Sequence, residues 1–364
     1  MDIFDRIAER NHEQVVLNHD PETGLRAIVA IHDTTLGPAL GGTRMWVYED
    51  DGAALNDALR LARGMTYKSA AAGLNLGGGK AVIIGNSKTD KNEMLFRSYG
   101  RFIQGLAGRY ITAEDVGTTV QDMEWVRTET DYVVGISRSL GGSGDPSPFT
   151  ALGVLQGMRA ALAERTGSDS LDGKTVAVQG VGHVGFHLVG HIVRGGGRVV
   201  VADIDKENLR RATREHREIE VVEPDDIYDV DCDVFAPCAL GAVVNDDTLP
   251  RLKCAIVAGA TNNVLAEDRH GQALASRDIL YAPDYVVNAG GLINVANELE
   301  GYNPTRSTQQ VEKIYDITRE IFRIAKDQGV TTAHAADKLA ERRIASVARM
   351  KATHVPWPPR RGRR

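Results

Sequence analysis

The chain has 364 residues, enough for about two domains of ordinary size, and 42% hydrophobic with 25% charged residues excludes a disordered or collagen-like protein. Forty-three basic against 49 acidic residues leave a formal charge of −6, which disfavours nucleic acid and anionic membranes as partners and directs attention to small molecules. No apolar run reaches the ~18 residues of a membrane span and the charged start MDIFDRIAERNHEQ is no secretory signal, so a cytoplasmic protein is expected.

In chain order, QVVLNHD and LRAIVAIHDTT read as strands, followed by LGPALGGTRMW, which reads as a functional glycine-rich loop. From Ala53 to Gly73 the apolar positions fall on a helical stripe. LNLGGGKAVIIG then reads as a second loop running into a buried strand, with Lys68 and Lys80 bracketing it. A helix over 92–106, a strand in RYITAEDVG and a helix over 120–130 close the first domain near Ser139. GGSGDPSP, residues 141–148, reads as a hinge. An amphipathic helix is expected over 150–164, then a βαβ unit made of KTVAVQG, a helix from His183 to Arg194, and RVVVADID. The apolar runs CDVFAPCA, CAIVAGA and ILYAPDYVVNAGG recur at parallel-sheet spacing, and helices over 311–327 and 335–350 follow. The expected fold class is α/β, with a doubly wound sheet whose ligand edge lies at the strand C-termini.

Gly180, Gly182 and Gly185 form GxGxxG between the strand at 175–178 and the next helix. In that place the first glycine permits the turn, the second lets a pyrophosphate approach the backbone, and the third lets helix and strand pack closely. Asp203 ends the following strand, where a carboxylate accepts from ribose hydroxyls and repels a 2′-phosphate; with Ile204 and Asp205 after it, NAD is expected rather than NADP. His183, His187 and His191 share one helix face at metal-ligand spacing, but no cysteine or carboxylate completes a site, so no metal is expected. Cys232, Cys238 and Cys254 lack CxxC spacing and read as buried free thiols.

Lys80 follows three glycines at what reads as a cleft mouth, where desolvation lowers a lysine pKa and equips it as a base. Lys68 stands among Met65 and Ala70–Ala72, an apolar setting in which a charged lysine needs an anionic partner such as a substrate carboxylate. Asp115 is ambiguous taken alone, and Glu114 reads as a surface acid.

Taken together, LGPALGGTRMW, ARGMTYKSAAAGLNLGGGK, ITAEDVGTTV, GGSGDPSP, FAPCALGA and YAPDYVVNAGGLINVANEL resemble the leucine dehydrogenase branch of the glutamate, leucine, phenylalanine and valine dehydrogenase superfamily, from about residue 1 to 350. The resemblance implies reversible, NAD-dependent oxidative deamination of an L-amino acid to a 2-oxo acid and ammonia. It implies a substrate and oligomerisation domain over 1–140, a Rossmann domain over 141–330, a C-terminal helix (about 331–364) packed back on the first domain, and a homo-oligomer. It implies Lys80 as the catalytic lysine, Lys68 on the substrate carboxylate, and Asp115 exchanging a proton with the amino group. It further implies a side-chain pocket of Leu40, Gly41, Ala113, Leu292 and Val295, with Asn262 and Asn263 near substrate and nicotinamide. The implied cofactor contacts are Thr150, Gly180, Val181, Gly182, His183, Val184, Gly185, Asp203, Asn262 and Asn288.

That pocket suits branched-chain side chains and offers glutamate no basic partner. Leu292 stands where close leucine-specific relatives carry the smaller valine, so the pocket is expected to be tighter and to favour valine. Two other readings use the same residues: a phenylalanine or broad-range amino acid dehydrogenase, and an NAD-binding regulator without turnover. The regulator predicts loss of Lys80, Lys68 or Asp115, and all three are present. The arginine-rich tail VPWPPRRGRR is expected to be solvated.

Overall fold

A computed structural model describes residues 3–350. The arginine-rich tail lies outside them.

After α1 (Ile3–Glu9), β1 (Gln14–Asp20) and β2 (Leu25–Asp33) pair antiparallel, and β3 (Ala39–Trp46), α2 (Asp51–Ala71), β4 (Gly77–Ile84), α3 (Glu93–Gly105), β5 (Tyr110–Glu114) and α4 (Val120–Arg127) follow. The strands form one mixed sheet in the order β1-β2-β4-β3-β5. Strand alternation divides its side chains between two faces. Val29, Ile31, Ala81 and Ile83 pack under α3 and α4 against Phe96, Tyr99, Ile103 and Met123. Ile28, Ala30 and Val82 meet Ala54, Leu55, Ala58 and Leu59 of α2. The side chain of Asp50 caps α2 by accepting from the Ala53 N–H.

Two segments differ from expectation. LGPALGGTRMW contains strand β3, and the glycines of LNLGGGK lie within β4 rather than in a loop before it. Close approach is the reason. A Cβ on Gly41 would come within 1.8 Å of the Gly79 carbonyl oxygen, and one on Gly78 within 2.0 Å of the Thr66 nitrogen. These glycines let strand meet strand and helix meet strand; they do not turn the chain.

The second half begins with α5 (Ser147–Thr166), β6 (Thr175–Gln179), α6 (His183–Arg194), β7 (Arg198–Ala202), α7 (Lys206–Glu215), β8 (Glu220–Val221), β9 (Asp231–Pro237) and β10 (Lys253–Val257). It continues with α8 (Arg269–Ser276), β11 (Leu280–Tyr281), α9 (Asp284–Val287), α10 (Gly290–Ala296), α11 (Pro304–Glu312), α12 (Ile314–Gln328) and α13 (Thr332–Met350). Its sheet is wholly parallel in the order β11-β10-β9-β6-β7-β8. The winding direction reverses between β6 and β9, where a doubly wound sheet opens its ligand crevice. The two-domain α/β expectation therefore holds.

The helix expected to be amphipathic is α5, which starts earlier and is buried over most of its circumference. Ala151, Val154, Met158 and Leu162 enter the core of the parallel sheet, and Gly157 admits the Val287 side chain. The helix expected over 311–327 is divided at Lys313 into α11 and α12. Helix α13 crosses to α2, where the Tyr67 hydroxyl donates to Glu341 and Arg343 donates to the carbonyls of Ala70, Gly73 and Leu74. Ala70 lies in the last turn of α2 and Gly73 and Leu74 just past its end, so Arg343 ties the C-terminal end of α2 and the turn after it to α13. Among the described residues no helix is long and apolar enough to cross a membrane.

Beside α2, the rings of His12 and His32 meet edge to face with centroids 4.8 Å apart. His32 Nε2 donates to the Arg10 carbonyl, leaving Nδ1 to accept from the Thr66 hydroxyl. Burial holds His32 down at about 4 and also lowers His12. The unfolded chain takes up these protons near 6.5, so their contribution to stability is complete above that pH and is lost as pH falls towards 4, on the order of 3 kcal/mol for His32. Thermal melts across this window should show a steep decline that flattens in His32→Gln. Equal slopes in the two proteins would refute the assignment.

Candidate active site

A cleft of about 1170 Å³ runs between the two sheets and is lined from both. Because β3 is a strand, Leu40, Gly42 and Arg44 share one face, and all three line this cleft. Lys80, inside β4, has 6% of its side chain exposed and places Nζ 2.8 Å from Asp115 Oδ2, just past the end of β5. Arg44 Nε donates to the same oxygen at 3.1 Å. Burial lowers the Lys80 pKa, against the opposing pull of Asp115. Burial pushes Asp115 up, but Lys80 and Arg44 outweigh it and hold the carboxyl below its usual range.

Lys68, in the last turn of α2, reaches across the cleft and donates to Asn288 Oδ1 at 2.6 Å. Asn288 Nδ2 donates in turn to Asn262 Oδ1 at 2.7 Å and to the Ala260 carbonyl at 3.0 Å. One hydrogen-bonded line therefore ties a lysine of the first domain to two loops of the second. Burial lowers Lys68 to about 8, opposed chiefly by Asp284. Asp284 is buried, accepts from the Val264 N–H at 2.7 Å, and is raised by its burial.

The apolar end of the cleft is formed by Leu40 and Ala113 from the first domain and Leu292 and Val295 from the second, packed with Leu76, Ile111 and Val134. Gly41 departs from expectation. It is buried between strands, its carbonyl accepting from the Tyr110 hydroxyl, and its neighbour Gly42 lines the cleft instead. Glu114 also departs from expectation: it is half-buried and lines the cleft, and burial beside Asp145 and Asp115 raises its carboxyl.

At the crevice of the parallel sheet, Gly180 takes φ +92° and Gly185 packs so that a Cβ would stand 2.0 Å from the Gly180 carbonyl oxygen. A Cβ on Gly182 would meet nothing within 4 Å, so the loop leaves open space against its backbone at the start of α6, a cradle that fits a dinucleotide pyrophosphate. Asp203 Oδ2 accepts from the Val181 N–H and Oδ1 from the Asp205 N–H, both at 2.8 Å, so this acid also braces the glycine loop. Oδ2 accepts in addition from Asn208 Nδ2 at 3.3 Å, so Oδ1 is the oxygen that keeps a lone pair for a ribose hydroxyl. His183 is exposed at the helix start, Val184 packs towards the core, and Thr150 stands in the first turn of α5 against Gly291.

Of the histidine stripe, His191 accepts from Arg194, and burial holds it down at about 4. Elsewhere Asp246, Glu267 and His270 bring ligand-type atoms within 4.8 Å of one another, but Arg269 bonds both carboxylates. Cys232, Cys238 and Cys254 are free, and burial raises all three thiols.

Residues 12–132 match the Glu/Leu/Phe/Val dehydrogenase dimerisation domain, and residues 141–354 the Glutamate/Leucine/Phenylalanine/Valine dehydrogenase domain. The chain is 57% identical over 355 residues to a leucine dehydrogenase of Bacillus cereus, covering 98% of this chain and 97% of that one. It is 58% identical over 351 residues to a leucine dehydrogenase of Geobacillus stearothermophilus, covering 96% and 95% respectively. The crystal structure of L-tryptophan dehydrogenase from Nostoc punctiforme superposes with a TM-score of 0.84 at 48% identity, covering 95% of this chain and all of that one. On these matches, with both domains in order along nearly the whole length, the chain belongs to the glutamate, leucine, phenylalanine and valine dehydrogenase family.

Proposed function

We propose that this amino acid dehydrogenase oxidatively deaminates branched-chain L-amino acids with NAD. The observation that carries the reading is the convergence, in one cleft, of Lys68, Lys80 and Asp115 beside an apolar end of Leu40, Ala113, Leu292 and Val295. We assign the lysines and Asp115 to the first domain, residues 1–140, and cofactor binding to residues 141–330, with α13 packed back on α2. Self-association is proposed from the match to a dimerisation domain, and a mass measurement in solution reads it directly.

The Lys68 ammonium pairs with the substrate carboxylate, and the arriving anion favours the charged lysine, which burial disfavours. Asp115 takes a proton from the substrate ammonium. When bound, the nicotinamide supplies the acceptor for the hydride leaving the α-carbon. Lys80, in its neutral form, takes a proton from the water that adds to the resulting iminium carbon, so that a C–O bond forms as the C=N π bond opens. Asp115 then returns its proton to the nitrogen, the C–N bond breaks, and the hydroxyl proton departs with the leaving amine as ammonium. Lys80 releases its proton to solvent, which balances the reaction: amino acid, NAD and water give 2-oxo acid, ammonium, NADH and a proton. The Asp203 carboxylate at the end of β7, followed by exposed Ile204, supports NAD over its 2′-phosphorylated form.

The test is NADH formation with leucine, valine, isoleucine, phenylalanine and glutamate, offering NAD and NADP separately. Branched-chain turnover with NAD is expected, and folded protein that binds NAD but turns over none of the panel would overturn the reading in favour of a regulator. Leu292→Val removes one methylene from the pocket wall and should raise the leucine-to-valine ratio of kcat/KM roughly tenfold. An unchanged ratio removes Leu292 from specificity.

A further inference from the structure

The Lys80–Asp115 pair raises a chemical difficulty. An amine 2.8 Å from a carboxylate in a desolvated site forms an ion pair, and that pairing opposes the loss of the proton that burial favours. A lysine that acts as a base has to lose that proton while the carboxylate beside it stays ionised.

Arg44 stands where the difficulty can be met. Its Nε donates to Asp115 Oδ2, the oxygen that also meets Lys80, and its NH1 donates to Asp57 Oδ2 at 2.8 Å. The fork is held from its far side, since Asp57 also accepts from the Tyr48 hydroxyl at 2.8 Å and from Arg60 at 2.9 Å. Asp115 Oδ1 takes no hydrogen bond from the described residues. A guanidinium stays charged at every pH at which the fold survives, and its planar fork spans two carboxylates where an ammonium is a point charge.

We propose that Arg44 is a positioning residue of the active site: it is the permanent counter-ion of Asp115, pinning Oδ2 so that Oδ1 stays open to the substrate amino group, and it lets Lys80 release its proton without leaving the carboxylate uncompensated. The inference rests on the base role assigned to Lys80 above. The charged groups facing Lys80 are Asp115 after β5, Arg44 on β3, and Asp57 and Lys68 on α2. Of these, Arg44 lowers its proton affinity and Asp57 raises it.

The experiment is the pH profile of kcat/KM, from neutral to strongly alkaline, with the best amino acid of the panel. In Arg44→Gln the acid limb, which reports loss of the Lys80 proton, is expected to move up by about one pH unit, with roughly tenfold lower activity on the limb and most of the alkaline plateau retained. Arg44→Lys keeps the charge and loses the fork, so its limb should return towards the original position while KM for the amino acid rises. A profile in Arg44→Gln that is scaled down equally at every pH, with its limb in place, would show a merely structural arginine and overturn the proposal. Should Arg44→Gln fail to fold, Asp57→Asn leaves Arg44 and Asp115 in place and removes a carboxylate that favours the Lys80 proton. Its limb is expected to move down, and an unmoved or upward limb overturns the proposal. Lys80→Ala separates the two levels. If that variant keeps its turnover, the base assignment fails and this inference with it; if turnover is lost while the Arg44→Gln limb stays put, this inference alone fails.

Discussion

Lys80→Ala is expected to lower kcat about a thousandfold, the scale of a lost general base, while NAD binding read by fluorescence titration stays within a factor of two or so. Stability should change little. Removing one buried charge is harmful when it leaves its partner unpaired, but Asp115 keeps Arg44 as a counter-ion. The variant is therefore a clean test of chemistry rather than of folding, and a melting temperature near that of the parent is part of the expected result. Lys80→Arg should not rescue it, because a guanidinium cannot surrender a proton at working pH. Turnover by either variant above a tenth of the parent would remove Lys80 from the role of base.

Much of this candidate site is legible in the sequence. GxGxxG between an apolar strand and a helix points to the glycine loop and open crevice found after β6, since the requirement is local: one turn, one close approach, one helix start. The first domain was harder for an equally physical reason. Glycine in GGT and GGG gives the same letters whether the backbone turns or whether another strand presses against it, and only the packing partner decides between them. Reading β3 as a loop hid its period of two, and with it the fact that Arg44 shares a face with Leu40 and Gly42. The line Lys68–Asn288–Asn262 was beyond sequence reasoning for a different reason, because it joins residues of two domains far apart in the chain. Asp284 gave no signal either. A single acid after YAP reads as an ordinary turn residue until the fold buries it where it acts on Lys68 more strongly than any other acid.

The glycines that misled the reading also carry the largest stability effect to be expected. Gly41→Ala would put a Cβ 1.8 Å from the carbonyl oxygen of Gly79 and 3.4 Å from the Lys80 nitrogen, both backbone atoms of the neighbouring strand β4. No rotamer relieves such a clash, because neither partner is a flexible side chain. β3 and β4 must separate, at a cost of about 4 kcal/mol or more, in the rare upper tail of single substitutions. Gly64→Ala on α2 is the matching control: its Cβ would meet nothing within 4 Å, and replacing a helical glycine by alanine should stabilise by roughly 0.5–1 kcal/mol. The same chemical change thus carries opposite signs at the two positions, and urea unfolding of both variants reads the difference; a Gly41→Ala midpoint within error of the parent would show that β4 can yield. Because Lys80 adjoins the displaced carbonyl, any folded fraction of Gly41→Ala should be less active per molecule than the parent. Close approach at Gly41 then sets the distance between Lys80 and Asp115 as well as holding the sheet together.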